Sequence, residues 1–468
     1  PAVCFSIAGP GATNLLTGLW DAHVDRTPVL AITGQVQTQY FGPGSFQEID
    51  LHEAFNAVAP FSKIVLPDSK HAELASLAMK NALVNRNVSH LIVPDDVQTI
   101  DAGDQAPGEP AGRLADIRIT PSDNTVNMAM YRIWKSQNPA IIVGYGAREN
   151  MTEIIEFAEK LKAPVLTTFK AKGQISDEHP LAVGVLGKSG TPVSAHYMNT
   201  ADLLIVFGAS FSQHTGIDKS KPIIQVDNEQ MALAKFHAVD NPVWGDVGIT
   251  AKLFVENLAD YSQSKITTEQ IAVRKTDWRN KKAEMAKEDN QNGVNSVFVF
   301  NELSHILPEN AIIGLDVGNN TYSFGRYFES KNQRVILSGY LGSIGFGFPA
   351  AMGAYFAMPG RPVVSVSGDG GFGQYMAEFN TAVLHKMNIT HILINNNELG
   401  KISKEQRDEK LSVWQTGLSN PNFAEYAKQC GGLGIRVTKN QELESAVQKA
   451  LEYDGPAIVE IIGDPLLT

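Results

Sequence analysis

Two short polar turns near the C-terminal end carry the atoms best suited to chemistry. One is Gly368-Asp369-Gly370-Gly371; the other is Asn395-Asn396-Asn397, followed by Glu398. Asp369 supplies a hard anionic oxygen, Asn396 a neutral amide oxygen, and Glu398 a main-chain carbonyl. Mg²⁺ takes about six oxygens in a near-ideal octahedron and usually keeps phosphates and water among them. A carboxylate, an amide and a carbonyl leave room for two phosphate oxygens and a water. Gly368, Gly370 and Gly371 let the main chain approach a diphosphate closely, with amide donors at the helix start facing it. Taken alone, Gly-Asp-Gly is equally a plain turn. The Asn-Asn after a second strand sets this pair apart.

The elements that must position these turns are legible as patterns. Val363, Val364 and Val366 mark a buried strand before the first turn, a helical pattern follows it, and His391 to Ile394 mark a second strand. Strand, helix and strand in that order predict parallel neighbours with both turns at their carboxyl ends, where open α/β sheets bind ligands. Gly318, Asn319 and Asn320 end another strand, AIIGLDV, and put two amide side chains within reach of phosphate oxygens. Gly342, Ser343 and Ile344 precede FGFPAAMGAYF, whose small residues suit a helix start that approaches a ligand.

The same grammar recurs upstream. VCFSI leads into Gly9, Pro10 and Gly11, then into a helical pattern from Ala12 to His23 that contains Asn14. A glycine-rich loop follows, with Gly42, Pro43 and Gly44 ahead of Phe46 and Gln47; these two supply an apolar wall and an amide for a small acid, or simply plug the core beneath. From Asp101 the chain is rich in Pro, Gly, Ala and Asp, which reads as a linker. PAIIVGYGAR then opens a central segment of alternating strands and helices that runs to about Asp260. Gly144, Gly146 and Arg148 follow its first strand, and Asp227 ends IIQVD, where a carboxylate can accept from a nucleotide hydroxyl. The charged stretch after Gln270 reads as an exposed helix or linker. The expectation is an α/β protein of three parallel-sheet, Rossmann-like domains, spanning residues 1–105, 120–262 and 290–468.

Composition narrows the function classes. Across 468 residues the net charge is −11 with no basic block, which argues against nucleic acid or anionic membrane as partner. No apolar run is long enough to span a bilayer. Two cysteines, Cys4 and Cys430, do not make a disulfide framework and suit a reducing cytoplasm. The chain opens on Pro1 already inside an apolar strand pattern, so we expect an N-terminal part to be missing.

GPGATN, FQE, LGSIGFGFPAAMGA and GDG with its Asn-Asn together resemble the thiamine-diphosphate (ThDP) enzymes, in the branch of pyruvate oxidase and acetolactate synthase. The resemblance spans nearly the whole chain. It implies a pyrimidine-binding domain at 1–105, a central domain, and a diphosphate- and Mg²⁺-binding domain at 290–468. It implies that Gly9, Pro10 and Asn14 hold the aminopyrimidine or the reaction intermediate, that Phe46 and Gln47 line the active site, and that Ile344 wedges between the two rings of ThDP. In pyruvate oxidases the Gly144–Arg148 turn contacts FAD, which makes FAD a candidate cofactor. Acetolactate synthases carry an Arg-Phe-Asp-Asp-Arg-like stretch where this chain has Ser210 to His214, so the flavin stays open. KISKEQ is similar to phosphate-dependent pyruvate oxidases, where Ile402 and Glu405 would face substrate; acetolactate synthases have Trp at the Glu405 position. An exposed helical glutamate is the other reading of Glu405.

The implied activity is ThDP- and Mg²⁺-dependent decarboxylation of a 2-oxo acid such as pyruvate, followed by oxidation or carboligation. A flavin-free carboligase or lyase and a non-catalytic ThDP-binding subunit are the alternatives. The glutamate that activates the cofactor would lie before Pro1, and Glu48 sits on the wrong loop to replace it. The chain alone is therefore expected to turn over little or no substrate. A homodimer or homotetramer is expected, because in this family the pyrimidine and diphosphate domains meet across a subunit interface.

Overall fold

A computed structural model describes residues 1–104, 108, 111–258, 261 and 263–466. Part of the expected linker (105–107, 109 and 110), the boundary expected near Asp260, and the last two residues lie outside the described residues. The chain forms two compact units. One comprises Pro1–Ile117 with Tyr340–Gly342, the other Arg118–Gly339 with Ser343–Thr468.

The first unit holds a parallel sheet of β1 (Ala2–Ser6), β2 (Val29–Gln35), β3 (Phe61–Ile64) and β4 (Val88–Pro94), in the order β1-β2-β4-β3. The inner strands β2 and β4 are mostly apolar and almost wholly buried, as strands covered on both faces must be. The expected helix from Ala12 to His23 is two short ones, Pro10–Asn14 and Leu16–Val24, joined at Leu15. His90 on β4 is buried, stacks on Phe55 and meets the hydroxyls of Ser62 and Thr33, so its ring is fully engaged in the core.

The second unit holds two six-stranded parallel sheets. The first contains β5 (Pro139–Val143), β6 (Val165–Thr167), β7 (Ala182–Val185), β8 (Leu203–Phe207), β9 (Ile223–Asp227) and β10 (Asn241–Trp244), in the order β10-β9-β8-β5-β6-β7. The second contains β11 (Ile312–Leu315), β12 (Arg334–Leu337), β13 (Val363–Gly368), β14 (Ile389–Asn395), β15 (Leu433–Val437) and β16 (Ala457–Ile462), in the order β12-β11-β13-β14-β16-β15. As expected, β13 and β14 are parallel neighbours, with Gly368 opposite Ile394. The single helical pattern between them is two helices, Asp369–Tyr375 and Glu378–Leu384. The stretch after Gln270 belongs to the helix Thr268–Met285, started by a capping box between Thr267 and Gln270.

Buried charge joins the two sheets of this unit. Lys172 pairs with Asp177 at 3.2 Å, and Asp177 accepts from the main-chain N–H and hydroxyl of Ser330. Lys282, itself buried, pairs with Glu329 at 2.8 Å, and Arg279 bonds the same carboxylate. Burial resists ionisation of Glu329, but Arg279 and Lys282 overcome it and pull its pKa down to about 2.

Candidate cofactor site

In the second unit the carboxyl ends of β11, β13 and β14 bring the two polar turns face to face. Asp369 is almost fully buried, and burial pushes its pKa up to about 6 against the pull of Asn420 and the N–H groups of Gly370 and Asn397. Asn420 is the tie between the turns. Its amide nitrogen donates to Asp369 Oδ2 at 2.6 Å, to Asn395 Oδ1 at 3.0 Å and to Asn397 Oδ1 at 3.3 Å. Asn397 sits at φ 55°, in the left-handed region, which closes the turn tightly. The Asn396 side-chain oxygen accepts from the N–H of Glu398, and the Glu398 carbonyl accepts from Gly400 with a second lone pair to spare. Ser403 and Arg407 hold the Glu398 side chain.

The asparagines after β11 join the same place. A Cβ on Gly400 would lie 2.9 Å from both Asn319 Nδ2 and Asn396 Nδ2, so these two amides converge on it. Asn320 Oδ1 lies beside Gly318 and Gly368, while its Nδ2 is buried with no partner, a donor aimed at no protein acceptor. Buried donors are almost always satisfied, and an oxyanion at the turn would satisfy this one. The chemistry fits a metal–diphosphate group. One buried acid, neutral oxygens and spare amide donors suit a cation that brings its own phosphate ligands. Among the described residues no cluster of three or more His, Cys, Asp or Glu side chains could hold a metal unaided.

Asp316 was not foreseen as part of this framework. It follows β11 directly, is buried, and its Oδ1 accepts from the N–H groups of Val317 at 2.7 Å and Gly345 at 2.8 Å. A Cβ on Gly371 would meet its Oδ2 at 2.4 Å, so only glycine fits there. Burial lifts its pKa to about 6 against four main-chain donors, including Gly347 and Phe346. Asp316 thereby fastens the loop carrying Ser343 and Ile344 to the strand end. Gly342 turns at φ 69°, the N–H of Ser343 donates to Ser338 Oγ at 2.9 Å, and Ile344 reaches within 3.8 Å of a Cβ placed on Gly370.

Ile402 and Glu405 lie on the helix Gly400–Asp408, both exposed. Glu405 pairs with Lys401 one turn back, which lowers its pKa. That is the exposed helical glutamate of the second reading. In the central sheet, Gly144 and Gly146 follow β5, but their smallness has a packing cause. A Cβ on Gly144 would meet Gly208 O at 2.2 Å, and one on Gly146 would meet Gly208 Cα at 2.9 Å. Arg148 lies over the Tyr145 ring at 4.2 Å and donates to the Tyr145 carbonyl. Asp227 is buried and accepts from the N–H of Glu229.

In the first unit, Gly9 caps the helix Pro10–Asn14 at φ 62°, and a Cβ there would touch Gln47 at 3.0 Å. The structure thus brings the Gly9–Pro10 turn and Gln47 together. Gln47 itself sits at φ 64°. Asn14 is exposed, and Phe46 is 88% exposed, so it plugs no core. Glu48 organises the loop by accepting from the N–H groups of Gly42, Gly44 and Ser45, which lowers its pKa.

Comparison with known proteins agrees along the length of the chain. Residues 316–461 match the C-terminal TPP binding domain of thiamine pyrophosphate enzymes, 126–254 the central domain and 1–54 the N-terminal TPP binding domain. YdaP of Bacillus subtilis (strain 168), whose name describes it as thiamine pyrophosphate-containing, is 33% identical over 464 residues, covering 98% of this chain and 80% of the relative. An acetolactate synthase of Arthrospira platensis is 30% identical over 483 residues, covering 98% and 82%. The acetolactate synthase isozyme 2 large subunit of Escherichia coli (strain K12) is 29% identical over 482 residues, covering 99% and 84%. With three parallel sheets, a cradle of glycines, amides and two buried acids, and these matches, the chain belongs to the thiamine pyrophosphate enzymes.

Proposed function

We propose that the protein performs Mg²⁺- and ThDP-dependent decarboxylation of a small 2-oxo acid, with pyruvate the favoured substrate, in the manner of pyruvate oxidases. The observation that carries this reading is the pairing of the Asp369 turn with the Asn395–Asn397 turn through Asn420. Asp369, Asn396 and the Glu398 carbonyl would hold the cation. Asn319, Asn320 and the glycine turns would receive the diphosphate. When bound, ThDP supplies a carbanion sink that lets CO₂ leave a 2-oxo acid. The residues of this chain bind and orient. Asp316 fixes the Ser343–Ile344 loop, and Ile344 would set the bend between the cofactor rings. In the first unit Gln47 is held against Gly9, and by resemblance its amide would be the group that meets the acid.

Acetolactate synthase-type carboligation is the second reading, and the names of two of the relatives favour it. Against it stands Glu405, exposed and paired with Lys401, where that group has Trp. FAD remains a candidate for the central domain. Its support is the resemblance alone, since close packing on Gly208 accounts for Gly144 and Gly146. A homo-oligomer and a cytoplasmic setting complete the reading; the resemblance supports the first and two free thiols the second.

The deciding experiment is calorimetric titration of ThDP with and without Mg²⁺, alongside Asp369→Asn. Binding should require Mg²⁺ and be lost in the variant. Metal-independent binding, or an unaffected variant, refutes the reading. Product analysis of the full-length protein with pyruvate then separates acetyl products from acetolactate.

A further inference from the structure

Next to the cradle, and sharing Asn319 with it, lies a cavity of about 190 Å³ whose cations the cofactor reading does not use. Its floor is one face of the helix Asn319–Tyr327, including Asn319, Tyr322 and Arg326. Its walls carry Lys188, from the loop after β7, and Lys401 and Lys404, from the helix Gly400–Asp408. None of its lining residues is a carboxylate. Four cations, Lys188, Arg326, Lys401 and Lys404, facing one small volume repel each other.

Two of the four, Arg326 and Lys401, are held by neighbours. Arg326 donates from Nε to the Gly190 carbonyl at 3.1 Å and from a terminal nitrogen to the Lys188 carbonyl at 2.7 Å. Carbonyl partners fix the guanidinium without neutralising it. The Lys401 ammonium lies 5.2 Å from the centre of the Tyr322 ring and pairs with Glu405 outside the lining. Glu405 is also within electrostatic range of Lys188. One carboxylate against four cations leaves an excess of positive charge. A cleft lined by one sign of charge concentrates anions of the other, and Arg with Lys is the usual equipment for phosphate and carboxylate oxygens. A single water needs roughly 10–15 Å³ on the same measure, so a multi-atom ion has room.

We propose that this cavity binds a compact oxyanion carrying two negative charges, either phosphate or a short dicarboxylate. Binding does not depend on the cofactor reading. Only its further use, as the seat of the second substrate beside Asn319, rests on that reading.

The test is calorimetric titration of phosphate, malonate and acetate into the full chain saturated with Mg²⁺ and ThDP, at pH about 7.5 where phosphate is mostly the dianion. The same titrations go into the Lys188→Ala/Lys404→Ala double variant. Both lysines are exposed and outside the proposed cradle. At least one dianion should bind, acetate about tenfold or more weaker, and the double variant should lose roughly tenfold per lysine, about the worth of one charge-assisted bond. Which dianion binds identifies the source. Retained ThDP affinity in the variant shows that the cradle is intact. No dianion binding to the wild type, equal binding to the variant, or loss of dianion binding when Mg²⁺ and ThDP are added each overturns the proposal. If ThDP itself fails to bind, the cofactor reading falls, and titration of the cofactor-free chain still decides this one.

Discussion

Asn420→Ala should weaken Mg²⁺-dependent ThDP binding by about 10–100-fold, the usual loss when an outer partner of a metal ligand is removed. The magnitude follows from what Asn420 touches. It makes one charge-assisted bond, to Asp369 at 2.6 Å, and two neutral ones to the opposite turn. A charge-assisted bond contributes about 1.5–3 kcal/mol, and each 1.4 kcal/mol is tenfold in affinity. Alanine frees the Asp369 carboxylate to rotate and lets the Asn395–Asn397 turn drift from it. The assay is calorimetric titration of ThDP at saturating Mg²⁺, with Asn422→Ala as control. Asn422 lies on the same loop but caps the helix Phe423–Gln429 through the N–H of Glu425. Its loss should cost about 1 kcal/mol of stability and leave affinity unchanged. Wild-type affinity in Asn420→Ala, or an equal loss in Asn422→Ala, refutes the idea that Asn420 holds the two turns in register.

Further outcomes follow from single contacts. The depressed pKa of Glu329, about 2 against an ordinary 4.5, supplies stability that is present above 4.5 and lost as pH falls towards 2; Glu329→Gln should be about 3 kcal/mol less stable at neutral pH and lose less on acidification, read from urea midpoints. Gly144→Ala should destabilise the flavin-free protein by about 3 kcal/mol or more, because its Cβ would meet the Gly208 carbonyl at 2.2 Å; an unchanged melting temperature with lost flavin binding would instead make Gly144 a cofactor residue. Glu48→Ala should speed hydrogen exchange at Gly42, Gly44 and Ser45, whose N–H groups it accepts, and unaltered exchange there would mean that the loop holds itself.

The strands of the cradle were legible because the apolar residues of β13 (VVSVSG) and β14 (ITHILIN) lead directly into glycines and asparagines. Short or interrupted strands were not. β7 carries Gly184 at φ 88° and β12 exposes Arg334, so neither shows a clean period. β15 alternates only partly and is recognisable chiefly by its pairing with β16. Asn420 was illegible for another reason. It lies 51 residues from Asp369 on an irregular segment, and nothing local marks it as a partner of that turn. Asp316 was within sight, since an acid closing an apolar strand is expensive to bury without a purpose. The central glycines show a different limit. Their spacing suggested a ligand, while the ligand-free cause, close approach of Gly208, lies in a strand end more than sixty residues away and cannot be read from a short motif.

Cradle and cavity depend on different parts of the molecule. The cradle is built from main-chain atoms and amides at strand ends, and sheet register fixes their places, with Leu315 opposite Val366 and Gly368 opposite Ile394. Keeping the cradle takes these parallel strands and glycines together with Asp369 and the Asn420 that ties the two turns. The cavity takes its character from Lys188, Arg326, Lys401 and Lys404, at half-buried or exposed positions of two helices and a loop. Exchanging the exposed ones disturbs no core packing, so it costs little stability. The cradle's motifs can therefore stay fixed while the cavity's charge changes, which is why the motifs disclose the family while the gathering of cations shows only in three dimensions.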